Sequence, residues 1–285
     1  MKKIEKIKFQ DVELEIQTYN TQKENTLLLL HGFNDTKETF VFLEEFLTQH
    51  FNLISYDHRG HGGSSWNQSG FYHYGEILLD LHRIVENFLS TAFSILGHSL
   101  GAGLAARYSG LYPEKIQSLI LLEGFSGLQA WKKEKQRILN WLEQNSTPKI
   151  ETKNYRKKMT KQEALQKLTK IYPKHSKEKL EVILKGLTFQ IDENHFAWKN
   201  DPHLKQMIPL PFPPELSRFL WKEISCPVLL FFGEQTHIRP SNLEEIQSHF
   251  KNLHYFEVPN SGHNLQHENP EFLIQVLKTH LGLTK

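Results

Sequence analysis

Cysteine is almost missing from this 285-residue chain: Cys226 stands alone, so no intrachain disulfide can form. A domain of this length buries about three quarters of its unfolded surface and needs neither disulfides nor metals for stability. Cys226, beside Pro227 at the start of an apolar run, reads as a small buried hydrophobe and fits a reducing compartment. No stretch reaches the roughly 18 apolar residues of a membrane span. The opening Met1 to Phe9 alternates charged and apolar residues, which reads as a strand and not a signal peptide. A cytoplasmic protein without membrane insertion is therefore expected. Zinc spacings such as H-E-x-x-H are missing, as is a G-x-G-x-x-G phosphate loop, so neither metal nor cofactor is expected. With a formal net charge of only +2, no nucleic-acid partner is expected. One further absence matters for chemistry: no aspartate follows Asp201.

The charge that is present is unevenly placed. Between Gly124 and Ser225 there are 20 Lys and Arg against 11 Asp and Glu, a net of +9, while the remainder carries −7. Outside that interval, apolar runs bounded by turn residues recur at Ile4 to Phe9, Val12 to Gln17, Thr26 to Leu30, Phe51 to Tyr56, Ala92 to Leu96, Gln117 to Leu122, Pro227 to Phe232 and Leu253 to Val258. Helical patterns separate them from the third onward: Thr39 to His50, Tyr74 to Leu89, Leu100 to Leu111, Asn242 to Phe250 and Pro270 to His280. Such alternation predicts an α/β fold with an eight-stranded, mostly parallel sheet and helices on both faces. The first two strands, joined by Gln10-Asp11, predict an antiparallel edge hairpin. The interval 124–221 breaks the rhythm with helical stretches at Leu128 to Gln144, Lys161 to Ile171 and Ser176 to Leu187. It holds Trp131, Trp141, Trp198 and Trp221 inside or at their margins, and a stiff Pro209 to Pro214 return. It reads as a helical cap inserted between strands six and seven, leaving 1–123 and 222–285 as the core domain. Such a cap lies over the strand ends where open α/β sheets bind ligands.

The most informative string is Gly97-His98-Ser99-Leu100-Gly101, set between an apolar run and a small-residue helix. A serine between two glycines at a strand-to-helix turn reads as a nucleophile elbow, whose tightness leaves room only for glycine and projects the hydroxyl. Three further strings occur in order at strand ends: Leu30-His31-Gly32-Phe33, Tyr56-Asp57-His58-Arg59-Gly60-His61-Gly62, and Ser261-Gly262-His263. With these four, the chain resembles the α/β-hydrolases over nearly its whole length. Within them, His31 to Asp35, the elbow and the stretch from Trp198 to Leu204 before Ile224-Ser225-Cys226-Pro227 are similar to the serine hydrolase-like (kraken-type) group.

The resemblance implies that Ser99 is the nucleophile and His263 the base that takes its proton. It also implies an oxyanion hole from the backbone N–H groups of Leu100 and Phe33, with Gly32 letting the backbone approach substrate. The acid departs from the commonest pattern. Most relatives carry an aspartate three residues after the glycine ending strand seven, but Gly233-Glu234-Gln235-Thr236 places threonine there. Two glutamates remain at strand ends: Glu123 after Leu119 to Leu122, and Glu234 after Gly233. Glu123 is the assignment and Glu234 the alternative, because a carboxylate ending a buried strand needs a cationic partner such as imidazolium. His98 is a candidate substrate contact, although its side chain is expected to point into the fold behind the elbow. His58 and His61 read as structural, and His237 and His267 bracket the site without regular spacing.

The expected activity is a cofactor-free serine hydrolase acting on a small-molecule carboxylic ester or thioester with an apolar acyl group, through a Ser-His-Glu triad and an acyl-enzyme. The same residues would serve an acyltransferase or a carbon-carbon bond hydrolase. The intact Ser99, His263 and oxyanion turn argue against a non-catalytic binding protein. Serine in place of aspartate at the nucleophile disfavours epoxide hydrolase and dehalogenase chemistry.

Overall fold

The computed structural model describes residues 1–67, 71–124, 131–146, 157–206 and 213–283. Eight strands form the main sheet: β1 (Lys2–Lys8), β2 (Glu13–Tyr19), β3 (Thr26–Leu30), β4 (Asn52–Tyr56), β5 (Phe93–His98), β6 (Ile116–Leu122), β10 (Val228–Gly233) and β11 (Leu253–Val258), in the order β1-β2-β4-β3-β5-β6-β10-β11. β1 pairs antiparallel with β2, and β2 with β4. The other pairings are parallel. The eight-stranded α/β sheet with its antiparallel edge hairpin is as the sequence pattern predicts.

The side-chain alternation of a strand explains why the central runs are apolar without a break. In Thr26–Leu30, Leu27 and Leu29 enter the cluster on one face of the sheet, and Leu28 and Leu30 the cluster on the other. On the first face lie α1 (Glu44–His50), α9 (Leu265–Glu268) and α10 (Pro270–His280); Leu47, Leu265 and Leu277 pack there. On the second lie α2 (Tyr74–Phe88), α3 (Leu100–Leu111) and α7 (Pro214–Glu223), with Leu81, Leu104 and Trp221 inside. Every residue of α3 from Leu100 to Gly110 is buried. Its run of Gly and Ala lets it lie close to the sheet on one side and α7 on the other. At Gly110 a Cβ would collide with the Leu220 backbone. Trp221, expected at the margin of the insertion, is therefore a core residue, and α7 belongs to the core packing.

Two predicted helices are shorter than their apolar periodicity. The first starts as a 3-10 turn at Lys37–Phe40 and becomes α1 only at Glu44, and the Asn242 to Phe250 stretch condenses to α8 (Leu243–Gln247). The insertion also differs from the purely helical reading. Beside α4 (Trp131–Asn145), α5 (Lys161–Ile171) and α6 (Lys177–Leu187) it holds a three-stranded sheet, β7 (Met159–Thr160), β9 (His195–Trp198) and β8 (Thr188–Gln190), in the order β7-β9-β8. Thr160 caps α5 through a capping box with Glu163, and Ser176 caps α6. The two helices bury Leu168, Leu180, Ile183 and Leu184 in a small core of their own. Residues 207–212, which include most of the Pro209 to Pro214 return, lie outside the described residues.

Several bonds tie the insertion to the core. The Asp201 N–H donates to Gly60 O (2.7 Å) and the Tyr72 hydroxyl to Asp201 Oδ2 (2.5 Å). Lys179 Nζ on α6 donates to His267 O (3.0 Å). Among the described residues, no helix is long and apolar enough to cross a membrane.

Candidate active site

The loop ends of β3, β5, β6, β10 and β11 converge at Ser99. The elbow is strained as its sequence requires: Ser99 sits at φ 52°, ψ −112°, a region that L side chains rarely occupy. Its N–H donates to Leu122 O (2.8 Å), and Gly103 N–H donates to Ser99 O (3.1 Å), so strand and helix hold the turn from both sides. A Cβ at Gly97 would strike the backbone of Gly101, and one at Gly101 the backbone of Leu30.

His263 reaches the serine from the loop after β11. Its Nε2 lies 3.2 Å from Ser99 Oγ and its Nδ1 3.2 Å from Glu123 Oε2. Glu123 follows β6 in the left-handed region at φ 54°, with its N–H donating to Phe231 O (2.9 Å). That turn sends the side chain beneath the imidazole, where it is fully buried. Its Oε1 accepts the Gly233 N–H and its Oε2 the Thr236 hydroxyl (2.5 Å), so the ion is not left unsolvated. Glu234 stands elsewhere: it is exposed, and its Oε2 accepts the Asn260 N–H (2.8 Å). Of the two glutamates, the geometry brings only Glu123 to His263.

The turn after β3 is built from histidines. His31 Nδ1–H donates to Gly32 O (2.7 Å) while its Nε2 accepts the His58 N–H (2.9 Å). His61 Nε2 accepts the Asn34 N–H (3.2 Å) and Nδ1–H donates to Arg59 O (3.0 Å). All three are fully buried. Burial holds His58 down at about 3 and His61 at about 4, and places His31 well below the usual range. They are neutral scaffold, fixing the peptides on either side of Phe33. A Cβ on Gly32 would come within 2.9 Å of His98 Nδ1 and 3.2 Å of Ser99 Cβ, so this turn rests against the elbow. Phe33 itself is 40% exposed, and Leu100 is the first residue of α3.

His98, the candidate substrate contact, points into the fold as expected. It is 2% exposed beneath the elbow, and its Nε2–H donates to His263 O (2.8 Å), so it braces the loop that carries His263. The strand pleat turns it away from the surface that displays Ser99. Three other braces carry no sequence signature. Glu268 Oε2 accepts the Gly262 N–H, His267 Nε2–H donates to Thr39 O (2.8 Å), and the Thr236 hydroxyl holds Glu123. Burial also lifts the Asp35 carboxyl, which accepts the Thr36 N–H (2.8 Å), to about 6. Cys226 is buried, and among the described residues no group of His, Cys, Asp and Glu is arranged to hold a metal ion.

A parallel sheet with a strained serine at one strand end, and a histidine facing both it and a carboxylate, defines a hydrolase-type fold. The chain belongs to the α/β hydrolase fold family, whose model matches residues 25–270. It is 36% identical to a serine hydrolase-like protein of Danio rerio over 117 residues, 41% of this chain but only 36% of that relative's length. It is 28% identical to a serine hydrolase-like protein of Dictyostelium discoideum over 260 residues, covering 83% of this chain and 69% of that one. Among solved structures, the thioesterase domain from the curacin biosynthetic pathway superposes with a TM-score of 0.77 at 19% identity, over 97% of this chain and 99% of that one. That likeness speaks to the fold.

Proposed function

We propose that the protein is a serine hydrolase that cleaves a carboxylic ester or thioester through the triad Ser99, His263 and Glu123. The observation that carries this reading is the unbroken line from Ser99 Oγ through both ring nitrogens of His263 to Glu123 Oε2, each step 3.2 Å. Glu123 accepts a hydrogen bond from Nδ1–H and so leaves the Nε2 lone pair facing the serine. His263 takes the hydroxyl proton as Ser99 attacks the acyl carbon. The resulting alkoxide is held by the N–H groups of Leu100, at a helix N-terminus, and Phe33. Collapse transfers the His263 proton to the leaving alcohol or thiol. Water, deprotonated by His263, then attacks the acyl-enzyme and returns the serine.

The insertion, as far as the start of α7, acts as a cap over this site, and the acyl group it admits is apolar. Support comes from exposed apolar side chains on the flanking loops, Phe33 at 40% and Ile238 at 39%. The experiment is labelling by a fluorophosphonate probe together with turnover of p-nitrophenyl esters of graded chain length. Wild type should label and Ser99→Ala should not. Folded wild type that neither labels nor turns over any ester or acyl thioester refutes the reading.

A further inference from the structure

We propose that Thr236 is a positioning residue for the triad, its hydroxyl aiming the Glu123 carboxylate at His263. The inference rests on the triad reading above and extends it to a residue that stands where most of the family would place an aspartate. Thr236 lies in the turn that leaves β10, closed by its own N–H to Gly233 O (3.2 Å). A hydroxyl has one proton and two lone pairs. Here the Ile238 N–H donates to Thr236 Oγ1 (3.3 Å), and the single proton goes to Glu123 Oε2 (2.5 Å).

That oxygen is the one facing His263 Nδ1 at 3.2 Å. Glu123 reaches it through a flexible stem, and among the described residues its other oxygen is held by the Gly233 N–H alone. Without the hydroxyl, Oε2 has no fixed donor except the imidazole it is meant to orient. A β-branched residue suits this task, since threonine has fewer accessible χ1 states than serine. The hydroxyl also shares the carboxylate charge, which tempers its hold on the imidazolium that forms during turnover.

The test compares Thr236→Val, which keeps the shape and removes the proton, with Thr236→Ser, which keeps the proton. Thr236→Val should lower kcat/KM by about 10- to 100-fold, the range for one lost hydrogen bond to a charged group, with KM little changed. Its acid limb should move to higher pH, because an unshared carboxylate holds the imidazolium more tightly. Thr236→Ser should recover most of the loss. In a Glu123→Gln background, Thr236→Val should cost almost nothing further, since the group it positions is gone. Histidine-selective 15N NMR reads the same contact without turnover: the His263 Nδ1 signal, assigned by its loss in His263→Ala, should shift in Thr236→Val.

A Thr236→Val protein with wild-type kcat/KM, an unmoved acid limb or an unmoved His263 signal overturns the proposal. So does a loss of activity that is equally large in the Glu123→Gln background. Should wild type lack all hydrolase activity, the triad reading falls, and the NMR shift alone decides for or against the Thr236 contact.

Discussion

Replacing Glu123 by glutamine tests the site at its most buried point. The carboxylate is fully buried and receives three donors: Gly233 N–H on Oε1, and the Thr236 hydroxyl and His263 Nδ1–H on Oε2. Glutamine offers one acceptor oxygen and a donating amide. The backbone N–H of Gly233 cannot turn away, so the amide oxygen must stay with it and the NH2 must face Thr236 and the imidazole. A hydroxyl can rotate to accept. The imidazole can only accept by giving up its Nδ1 proton, which places the proton on Nε2, facing Ser99, and removes the base. A triad locked in that tautomer typically loses about 10,000-fold in kcat. The assay is p-nitrophenyl ester turnover alongside the rate of fluorophosphonate labelling, with circular dichroism to establish that the variant is folded. Glu234→Gln, at an exposed site, should stay within roughly threefold of wild type. If Glu234→Gln is the more damaging by about tenfold or more, the assignment of the acid is wrong.

Two further outcomes concern stability. His31, His58, His61, His98 and His267 are buried and held neutral, each with its proton affinity lowered by burial. The unfolded chain binds those protons near pH 6.5 and the folded one far lower, so stability is full above about pH 6.5 and is lost as pH falls below it. Each titrating site contributes at most about 1.4 kcal/mol per pH unit, so five approach ~7 kcal/mol per unit near pH 5. Asp35, raised to about 6, works the other way: it favours the fold only while protonated and offsets about one of the five. Urea denaturation across pH 7 to 4 should find unfolding well before pH 4, and a flat profile from 7 to 5 would refute the argument. Lys37→Met should cost about 3–5 kcal/mol, because it leaves the Asp57 charge without a cation and with only the Lys37 and Gly63 N–H groups on it among the described residues; its Oδ2 lies 2.7 Å from Lys37 Nζ with both side chains almost fully buried. A loss below ~1 kcal/mol by urea denaturation would show that the backbone N–H groups of Lys37 and Gly63 hold the Asp57 charge without the ammonium.

The main sheet was legible because its strands are long enough to carry a pattern, with Leu27 to Leu30 apolar on both faces and β1 alternating at the edge. The small sheet of the insertion was not. Its strands, Met159–Thr160, Thr188–Gln190 and His195–Trp198, are too short to establish a period of two. Trp221 looked like an insertion residue because chain position says nothing of which layer a helix joins. At the site, the order of Ser99 and His263 could be read, and so could the inward direction of His98, but not the reach of its Nε2 to His263 O. Glu123 could be favoured over Glu234 from its place after a buried strand, but the left-handed φ that points its side chain inward is backbone geometry that no residue-type rule announces. The Thr236 hydroxyl is one of many and becomes informative only through the carboxylate it meets.

The pairing of His98 with Leu122 across β5 and β6 leaves Ser99 and Glu123 each one residue beyond a shared rung. Ser99 and Glu123 are therefore brought together by neighbouring strands that precede the insertion, and His263, 140 residues past Glu123, returns from beyond it. Closing a flexible loop costs only about 0.6 kcal/mol more for each doubling of its length. What lies between β6 and β10 can thus be lengthened, shortened or exchanged at small cost in chain entropy while Ser99 and Glu123 stay in register. An acid at the end of β10 would have put both partners of the serine on the far side of that variable stretch.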